Sequence, residues 1–361
     1  MREGTTMKAS RRFAGAVLAV LAAVVIPAWA ETPGEPAATA TPGLTISGAG
    51  ATFPAPLYQR WILDYREVRP DLTFTYDAKG SGEGVKRFLA GTVDFGASDA
   101  ALSDAELKQV DPQRGALMIP MTAGMVVLAY NIPGVAEGLV LSREVYVDIF
   151  AGRIRQWNDP RISAANPGLT LPAKAIVPVV RRDSSGTTFV MTNHLAHVDP
   201  GWSQQGPGVG KLVDWPGAAM TASGNAGVAQ RVKITDGSIG YMEYEFAERL
   251  GLPIAILHNK AGQPIIPSPA AGQAALASVT EIPADLRVFV PDPEGSDAYP
   301  IVSYSWLLLN ARYAEPAKAA ALKDALAWGL DQGQLVARDM GYVPLPAAMI
   351  AKASEVLARV E

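Results

Sequence analysis

Apolar and polar positions along the chain form short blocks that predict strands followed by helices. Two apolar runs, at 118–131 and 301–310, are longer than the others and predict long buried strands. Elsewhere, short apolar stretches lead into segments such as 57–66, in which apolar residues recur at helical spacing. Alternation of this kind predicts an α/β fold. Because the two long strands bracket a middle block, we also expect the chain to cross from one lobe to a second lobe and later return.

Small and hydroxylic residues recur where a predicted strand passes into a predicted helix. Four such turns lie at 48–52, 80–84, 184–187 and 223–227. In open α/β sheets, ligands bind beside turns of this type, at the carboxyl ends of the strands. The free backbone N–H groups of a helix N-terminus favour an anion there. Three or four of these turns converging would therefore form an anion site without a metal.

The turn at 181–188 follows a predicted strand at 175–180 and carries the most varied chemistry. Arg181 adds a full charge and a planar fork of donors to a helix N-terminus, a combination that suits an oxyanion. A plainer interpretation is a capped turn, in which Asp183 or Ser184 closes the helix and the arginines lie in water. The turn by itself leaves both interpretations open.

The first 30 residues have the three-part layout of a secretory signal peptide. The basic leader consists of Arg2, Lys8, Arg11 and Arg12. An apolar run at 13–26 and a small-x-small site at 28–30 follow it. The run is shorter than the roughly 20 apolar residues that a membrane-spanning helix needs. We therefore expect cleavage after Ala30, with Met7 as an alternative start.

Composition indicates an exported globular protein. Residues 31–43 are rich in Pro, Ala and Thr and predict a disordered linker. The chain has no cysteine, so we expect neither a disulfide nor a lipid anchor on an N-terminal cysteine. Removal of the leader changes the net charge from −4 to about −7, which argues against a nucleic-acid partner. A small anion remains compatible, because local dipoles can hold one inside a net-negative protein.

Five motifs occur in order along the chain, and together they are specific although each is weak alone. They are GAGATFPAP at 48–56, GS with GVK at 80–86, VDFGASD at 93–99, VVRxDxSGT at 179–187 and IGYxEY at 239–244. This set resembles the PstS family of periplasmic phosphate-binding proteins, which serve bacterial ABC phosphate importers. The resemblance extends over essentially the whole chain beyond the predicted linker.

The resemblance implies the type II periplasmic binding protein fold. This α/β architecture has two lobes with mixed β-sheets flanked by helices, joined by two crossover strands. Lobe 1 would comprise residues 44–126 together with 302–361, and lobe 2 would comprise residues 127–301. Ligand would bind in the cleft between the lobes.

The resemblance also implies four phosphate ligands from lobe 1. Thr52 would donate through its hydroxyl, Phe53 through its backbone N–H and Ser81 from the second turn. Asp99 would accept the proton that phosphate retains near neutral pH. One departure from the family pattern is Glu83, in a turn where close relatives carry small or hydroxylic residues. Its carboxylate would repel the ligand if it pointed inward.

Lobe 2 would supply the remaining phosphate ligands. Arg181 takes the position of the family's arginine and would be the cation. Asp183 would pair with it and temper its charge. Ser185, Gly186 and Thr187 would donate from the helix N-terminus.

The implied function is high-affinity binding of inorganic phosphate in the periplasm and delivery to the inner-membrane permease subunits of an ABC phosphate importer. The resemblance implies a dehydrated cleft of hydrogen-bond donors with one Arg and an Asp acceptor. We expect a monomer with no cofactor, no metal, no nucleic-acid partner and no enzymatic activity. The absence of an N-terminal cysteine after the signal suggests the freely diffusing form of the receptor.

Two other functions remain as alternatives. An exported phosphatase or phosphotransferase could draw a nucleophile from 183–185, although the chain has only three histidines and no G-x-S-x-G elbow. His194 and His197 could share a helical face, but two ligands do not make a metal centre. A receptor for sulfate or molybdate is the second alternative. Asp99 argues against it, because a carboxylate that faces an unprotonated anion brings two acceptors together.

Overall fold

The computed structural model of this chain describes residues 43–361, in which strand alternates with helix as the apolar pattern predicts. The predicted signal peptide, and the predicted linker except for Gly43, lie outside the described residues. Within the described range, no helix combines the length and apolar character needed to cross a membrane.

Most strands are followed by a helix, and the last three elements are all helices. The strands are β1 Leu44–Gly50, β2 Leu72–Ala78, β3 Phe95–Ser98, β4 Leu117–Asn131, β5 Val140–Leu141, β6 Val177–Arg181, β7 Met220–Ala222, β8 Ser238–Glu243, β9 Ile256–His258, β10 Pro264–Ile265 and β11 Val302–Leu309. The helices are α1 Ala55–Val68, α2 Ser81–Ala90, α3 Asp104–Leu107, α4 Arg143–Phe150, α5 Pro160–Ala165, α6 Gly186–Val198, α7 Gly201–Gln205, α8 Gly224–Ile234, α9 Tyr244–Leu250, α10 Pro269–Leu276, α11 Pro316–Leu330, α12 Gln332–Asp339 and α13 Ala347–Leu357.

Eight of the strands form one mixed sheet in the order β2-β1-β3-β11-β4-β8-β6-β7. The long strand β4 joins its two parts, because the residues up to Met125 pair with β11 and those from Val126 onward pair with β8. We call β2, β1, β3 and β11 the first half-sheet, and β8, β6 and β7 the second half-sheet. Within each, the strands that lead into the small-residue turns run parallel.

The two long apolar runs form the centre of the hydrophobic core, as predicted. Every residue of β11 is buried, and in β4 only the last residue is not. Helix α1 covers the first half-sheet with Leu57, Trp61 and Tyr65, which lie on one face because they are four residues apart. Strands buried on both faces carry continuous apolar sequence, which explains why these two are the clearest in the pattern.

Three helices begin three or four residues before the positions 85, 189 and 228, where their apolar patterns predict a start. Helix α2 begins at Ser81, α6 at Gly186 and α8 at Gly224. In each case the small and polar residues between the strand and the helix form the first turn of the helix. That turn has no intrahelical acceptors for its N–H groups. The early start therefore directs backbone donors toward the ends of the parallel strands.

Candidate anion-binding site

The predicted site residues lie at the carboxyl ends of parallel strands in both half-sheets. Thr52 and Phe53 follow β1, Ser81 opens α2 after β2, and Asp99 follows β3. From the second half-sheet, Arg181 ends β6 and the turn that follows it leads into α6. The topology therefore brings the predicted turns to facing edges, which is where open α/β sheets bind ligands.

Arg181 forms a buried ion pair with Asp183. The arginine is 3% exposed, its Nε lies 2.8 Å from Asp183 Oδ1, and its Nη2 contacts Oδ2. The Gly224 N–H donates to the same Oδ1 over 2.9 Å, and the Arg181 N–H donates to Tyr241 Oη over 3.1 Å. Burial would raise the pKa of Asp183, but the hydrogen bonds and charge of Arg181 outweigh it and hold that pKa below its usual value. The guanidinium is thus fixed in place and partly neutralised.

Ser185 caps helix α6, and its Oγ accepts the Thr188 N–H over 3.1 Å. The plainer interpretation of this turn named Asp183 or Ser184 as the cap, and it was wrong about the residue. With Ser185 as the cap, Gly186 and the residue after it become the first helical positions. Their N–H groups lie at the positive end of a 13-residue helix, beside the Arg181 guanidinium.

Asp99 is a buried carboxyl group beside two serines. It is 1% exposed, and Ser305 Oγ donates to its Oδ1 over 2.8 Å. Ser81 Oγ lies 3.4 Å from its Oδ2 and accepts the Asp99 N–H over 3.2 Å. Burial raises the pKa of Asp99 to about 7, although the Ser305 hydrogen bond and the charge of Arg181 lower it. Near neutral pH this group can therefore act either as an acceptor or as a donor.

Gly186 brings the two half-sheets close together. A Cβ at this position would lie 2.3 Å from Ser81 Oγ and 2.7 Å from Asp99 Cβ. Contacts that short are not tolerated, so only glycine allows α6 to approach the first half-sheet this closely. Ser81 and Asp99 therefore lie directly against the N-terminus of α6.

Thr52 and Phe53 are held by residues distant in sequence. Tyr342 donates from Oη to the Phe53 carbonyl over 2.9 Å, and the two rings meet edge to face. Thr52 Oγ1 accepts from Asn225 Nδ2 over 2.9 Å, and the same Nδ2 lies 3.2 Å from Thr187 Oγ1. Asn225 thus connects predicted site residues of the two half-sheets.

Three residues around the site were missed in the sequence. Asn225 lies in one of the four predicted turns, but its small neighbours gave no reason to choose it. Ser305 is a polar position inside a long apolar run, and that position was the available signal. Tyr342 falls near the end of the chain and gave no local signal.

Glu83 does not point into the site. Its carboxylate lies 2.8 Å from Arg87 Nε and 3.7 Å from Lys86 Nζ, on the outer side of α2. The hydrogen bond from Arg87 lowers the pKa of Glu83. The Glu83 carboxylate therefore takes part in surface ion pairs and does not repel a ligand in the predicted site.

A backbone contact also joins the half-sheets next to the site. The Gly82 N–H donates to the Ser184 carbonyl over 2.9 Å. A Cβ on Gly82 would lie 2.1 Å from Ser184 Oγ. Ser184 therefore links the two half-sheets through its backbone carbonyl.

Comparison with known proteins gives relatives that cover most of the chain. Residues 35–330 match a PBP superfamily domain. Phosphate-binding protein PstS of Pasteurella multocida is 40% identical over 317 residues, covering 87% of this chain and 90% of that protein. Phosphate-binding protein PstS of Methanocaldococcus jannaschii is 37% identical over 324 residues, covering 84% and 83%.

Solved structures show the same fold. A high affinity periplasmic phosphate-binding protein bound with phosphate matches with a TM-score of 0.73 and 23% identity, over 86% of this chain and 93% of that one. The phosphate-binding protein from Stenotrophomonas maltophilia matches with a TM-score of 0.65 and 21% identity, over 87% and 94%. The predicted periplasmic binding protein fold is confirmed.

Proposed function

The chain belongs to the PstS family of phosphate-binding proteins, and from this premise we propose that it binds inorganic phosphate with high affinity and delivers it to an ABC-type importer. One observation carries the proposal. A buried arginine, a helix N-terminus, several hydroxyls and one buried carboxyl group meet where the half-sheets face each other. Donors of these kinds bind an oxyanion through charge-assisted hydrogen bonds, each of which contributes about 1.5–3 kcal/mol net.

Each ligand has a proposed role. Thr52 and Ser81 donate through hydroxyls and Phe53 through its N–H, and Arg181 supplies the charge. Ser185, Gly186 and Thr187 donate from the start of α6. Asp183 orients the guanidinium. A handful of such bonds is sufficient for micromolar or tighter binding, about −8 kcal/mol.

Asp99 is the proposed basis for choosing phosphate over sulfate. Phosphate keeps a proton at neutral pH and can donate it to a carboxylate, whereas sulfate presents an unprotonated oxygen there. A site built around one such hydrogen bond can discriminate by roughly 10⁴–10⁵. The raised pKa of Asp99, about 7, means that the carboxylate form prevails above that pH. Sulfate or molybdate is therefore the less favoured ligand.

We place the boundary between two lobes within β4. β4 changes its pairing partner between Met125 and Val126, within one residue of the proposed end of a first lobe of residues 44–126 and 302–361. The second lobe would comprise residues 127–301. The site then lies in the cleft, and closure would withdraw the ligand from water.

The proposed place of action is the periplasm, after cleavage behind Ala30. The leader, apolar run and small-x-small site of the first 30 residues support export. The proposed partners are the permease subunits of the importer, which the chain would approach as a monomer.

The chain is proposed to be a binding protein and not an enzyme. Ser185 Oγ already accepts the Thr188 N–H as a helix cap. His194 is buried, and its ring nitrogens lie 2.9 Å from Tyr146 Oη and 2.6 Å from the Pro291 carbonyl. Burial lowers the pKa of His194 to about 4, and both nitrogens are engaged, so it is poorly placed to serve as a base. Turnover of p-nitrophenyl phosphate by purified protein would contradict this assignment.

Titration calorimetry of phosphate into the purified chain tests the function. We expect one phosphate per chain, and losses on the order of 100-fold in affinity for Arg181→Ala and Asp99→Leu, because each removes a charge-assisted contact. Unchanged affinity in both variants would overturn the proposed site.

A further inference from the structure

Asn225 lies in the first turn of α8, where that helix approaches the first half-sheet. Its side chain is fully buried. Gly224 before it has a φ of +68°, a left-handed conformation that favours glycine. A Cβ on Gly224 would lie 3.3 Å from Thr52 Cγ2, tighter than most such contacts. The glycine therefore lets the Asn225 amide reach across to Thr52.

The orientation of the Asn225 amide is set by a backbone group of β8. The Glu243 N–H donates to Asn225 Oδ1 over 3.0 Å. A backbone N–H can only donate, so the atom facing it must be the amide oxygen. The amide nitrogen then faces the site, 2.9 Å from Thr52 Oγ1 and 3.2 Å from Thr187 Oγ1.

This orientation decides what the two threonine hydroxyls can do. Thr52 Oγ1 accepts from both Nδ2 and the backbone N–H of Asn225, the latter over 3.2 Å. Thr187 Oγ1 accepts from Nδ2 and lies 3.4 Å from Arg181 Nη1. A hydroxyl oxygen has two acceptor sites and one proton. With its acceptor sites directed at these donors, each hydroxyl has its proton free to donate elsewhere.

One competing arrangement is weak. Thr187 Oγ1 lies 3.5 Å from Asn225 Oδ1, which is beyond the usual range of about 2.5–3.0 Å for an O–H···O hydrogen bond. The Thr187 proton is therefore not held by the amide oxygen.

We propose that Asn225 is a positioning residue that commits the hydroxyls of Thr52 and Thr187 to donate to the bound oxyanion, one from each half-sheet. The inference rests on the proposed function and assigns the amide a part in that site. A hydroxyl is otherwise free to accept as well as donate, and an anion has acceptors only. An amide donor behind both hydroxyls removes that freedom and ties the two half-sheets together.

The primary test is phosphate titration of Asn225→Ala. Loss of the amide donor should weaken binding on the order of 10- to 100-fold, because two hydroxyls lose their orientation. In a Thr52→Val background the same substitution should cost a smaller factor, since one of the hydroxyls through which Asn225 acts is absent. An equal factor in both backgrounds indicates a merely structural role and overturns the inference.

A second variant keeps the test decisive if the alanine variant does not fold. Asn225→Asp preserves the shape and leaves an oxygen for the Glu243 N–H. Its other oxygen accepts from the threonine hydroxyls and turns their protons away from the ligand. Phosphate affinity should fall at least as far as in the alanine variant, and an unchanged affinity overturns the inference.

A matched control uses another buried amide. Asn259 is fully buried, and its Nδ2 donates to the carbonyls of Gly295, Ser296 and Ala298. Asn259→Ala should lower stability and leave phosphate affinity within about twofold, a shift well under 1 kcal/mol. Absence of phosphate binding in the unaltered chain would overturn the proposed function itself. Full binding there, with unchanged binding in both Asn225 variants, overturns this inference alone.

Discussion

Ser305 donates from its Oγ to Oδ1 of Asp99 over 2.8 Å, across 206 residues of chain. The bond leaves Oδ2 as the oxygen that faces Ser81 and the start of α6 at Gly186. One side of the carboxyl group is thus anchored by β11 and the other side faces the candidate site. A single acceptor atom is presented to the ligand.

Asp99→Asn should reduce the preference for phosphate over sulfate. The amide oxygen can keep the Ser305 bond, which places an N–H donor where Oδ2 was. Phosphate then loses the acceptor for its proton, while sulfate gains a donor. We expect the preference to fall on the order of 100-fold in competition titrations at pH 8. The control is Asp64→Asn, which removes a surface pair with Arg60 and should leave the preference unchanged.

Two adjacent arginines should differ sharply in importance. Arg181 is buried and holds Asp183 with two hydrogen bonds, whereas Arg182 is exposed and contacts Ser223 Oγ over 2.9 Å. A lysine keeps the charge but not the planar fork of donors. Arg181→Lys should weaken phosphate binding on the order of 100-fold, and Arg182→Lys by less than about twofold. If calorimetry showed a loss for Arg181→Lys as small as that for Arg182→Lys, the charge at position 181, and not its planar fork of donors, would be what matters.

Gly82→Ala should weaken binding without lowering stability. The added Cβ would lie 2.1 Å from Ser184 Oγ and 2.3 Å from Ser184 Cβ, so the half-sheets could not approach as they do here. Because Gly82 has an ordinary helical setting in α2, alanine should itself favour the helix by about 0.5–1 kcal/mol. Phosphate affinity should drop about tenfold or more, since the closed state becomes a minor population.

A compensating substitution checks the cause of that loss. Ser184→Gly removes both clashing atoms, so the double variant Gly82→Ala, Ser184→Gly should recover most of the affinity. The control Gly168→Ala adds a methyl group where nothing lies within 4 Å, and should change neither affinity nor stability. A double variant as weak as Gly82→Ala alone would show that the clash is not the cause.

Glu243→Gln should stabilise the chain at neutral pH and not at acid pH. Glu243 is fully buried, and among the described residues its Oε1 has no hydrogen-bond partner. Burial first, and then the charge of Glu245, raise the pKa of Glu243 well above 4.5. A raised pKa gives stability that is complete below the unfolded-state pKa and is lost as the pH rises toward the folded-state pKa.

Glutamine mimics the protonated acid and so escapes that loss. The free energy of unfolding of the variant should exceed that of the unaltered chain increasingly above about pH 4.5, at up to about 1.4 kcal/mol per pH unit. Urea unfolding at pH 4 and pH 7.5 measures it. Glu248→Gln, an exposed position on α9, is the control. Equal stability differences for Glu243→Gln at the two pH values would show that the carboxyl group is not held neutral.

The strands and helices that carry the site were largely predictable because their local patterns are strong. The long apolar runs identified β4 and β11, and the small-residue turns marked where donors would gather. The helix starts could not be predicted from the apolar pattern. Small and polar residues such as Gly186 and Thr187 form the first turn of α6, and their sequence is equally typical of a loop.

Long-range partners could not be predicted from local pattern. Thr52 and Asn225 are 173 residues apart, and their contact depends on which turns the sheet order brings together. Ser305 meets Asp99 because β11 lies beside β3. Even the choice of Arg181 over Arg182 came from resemblance, since neighbouring residues at a strand end point to opposite faces and the sequence does not say which face is inward.

Isothermal titration of the unaltered chain with phosphate and with sulfate at pH 8 tests the central claim most directly. The geometry predicts one phosphate per chain at micromolar affinity or tighter, with sulfate weaker by roughly 10⁴-fold or more. Sulfate binding as tightly as phosphate, or no phosphate binding, would contradict a site organised around a buried arginine and a proton-accepting aspartate.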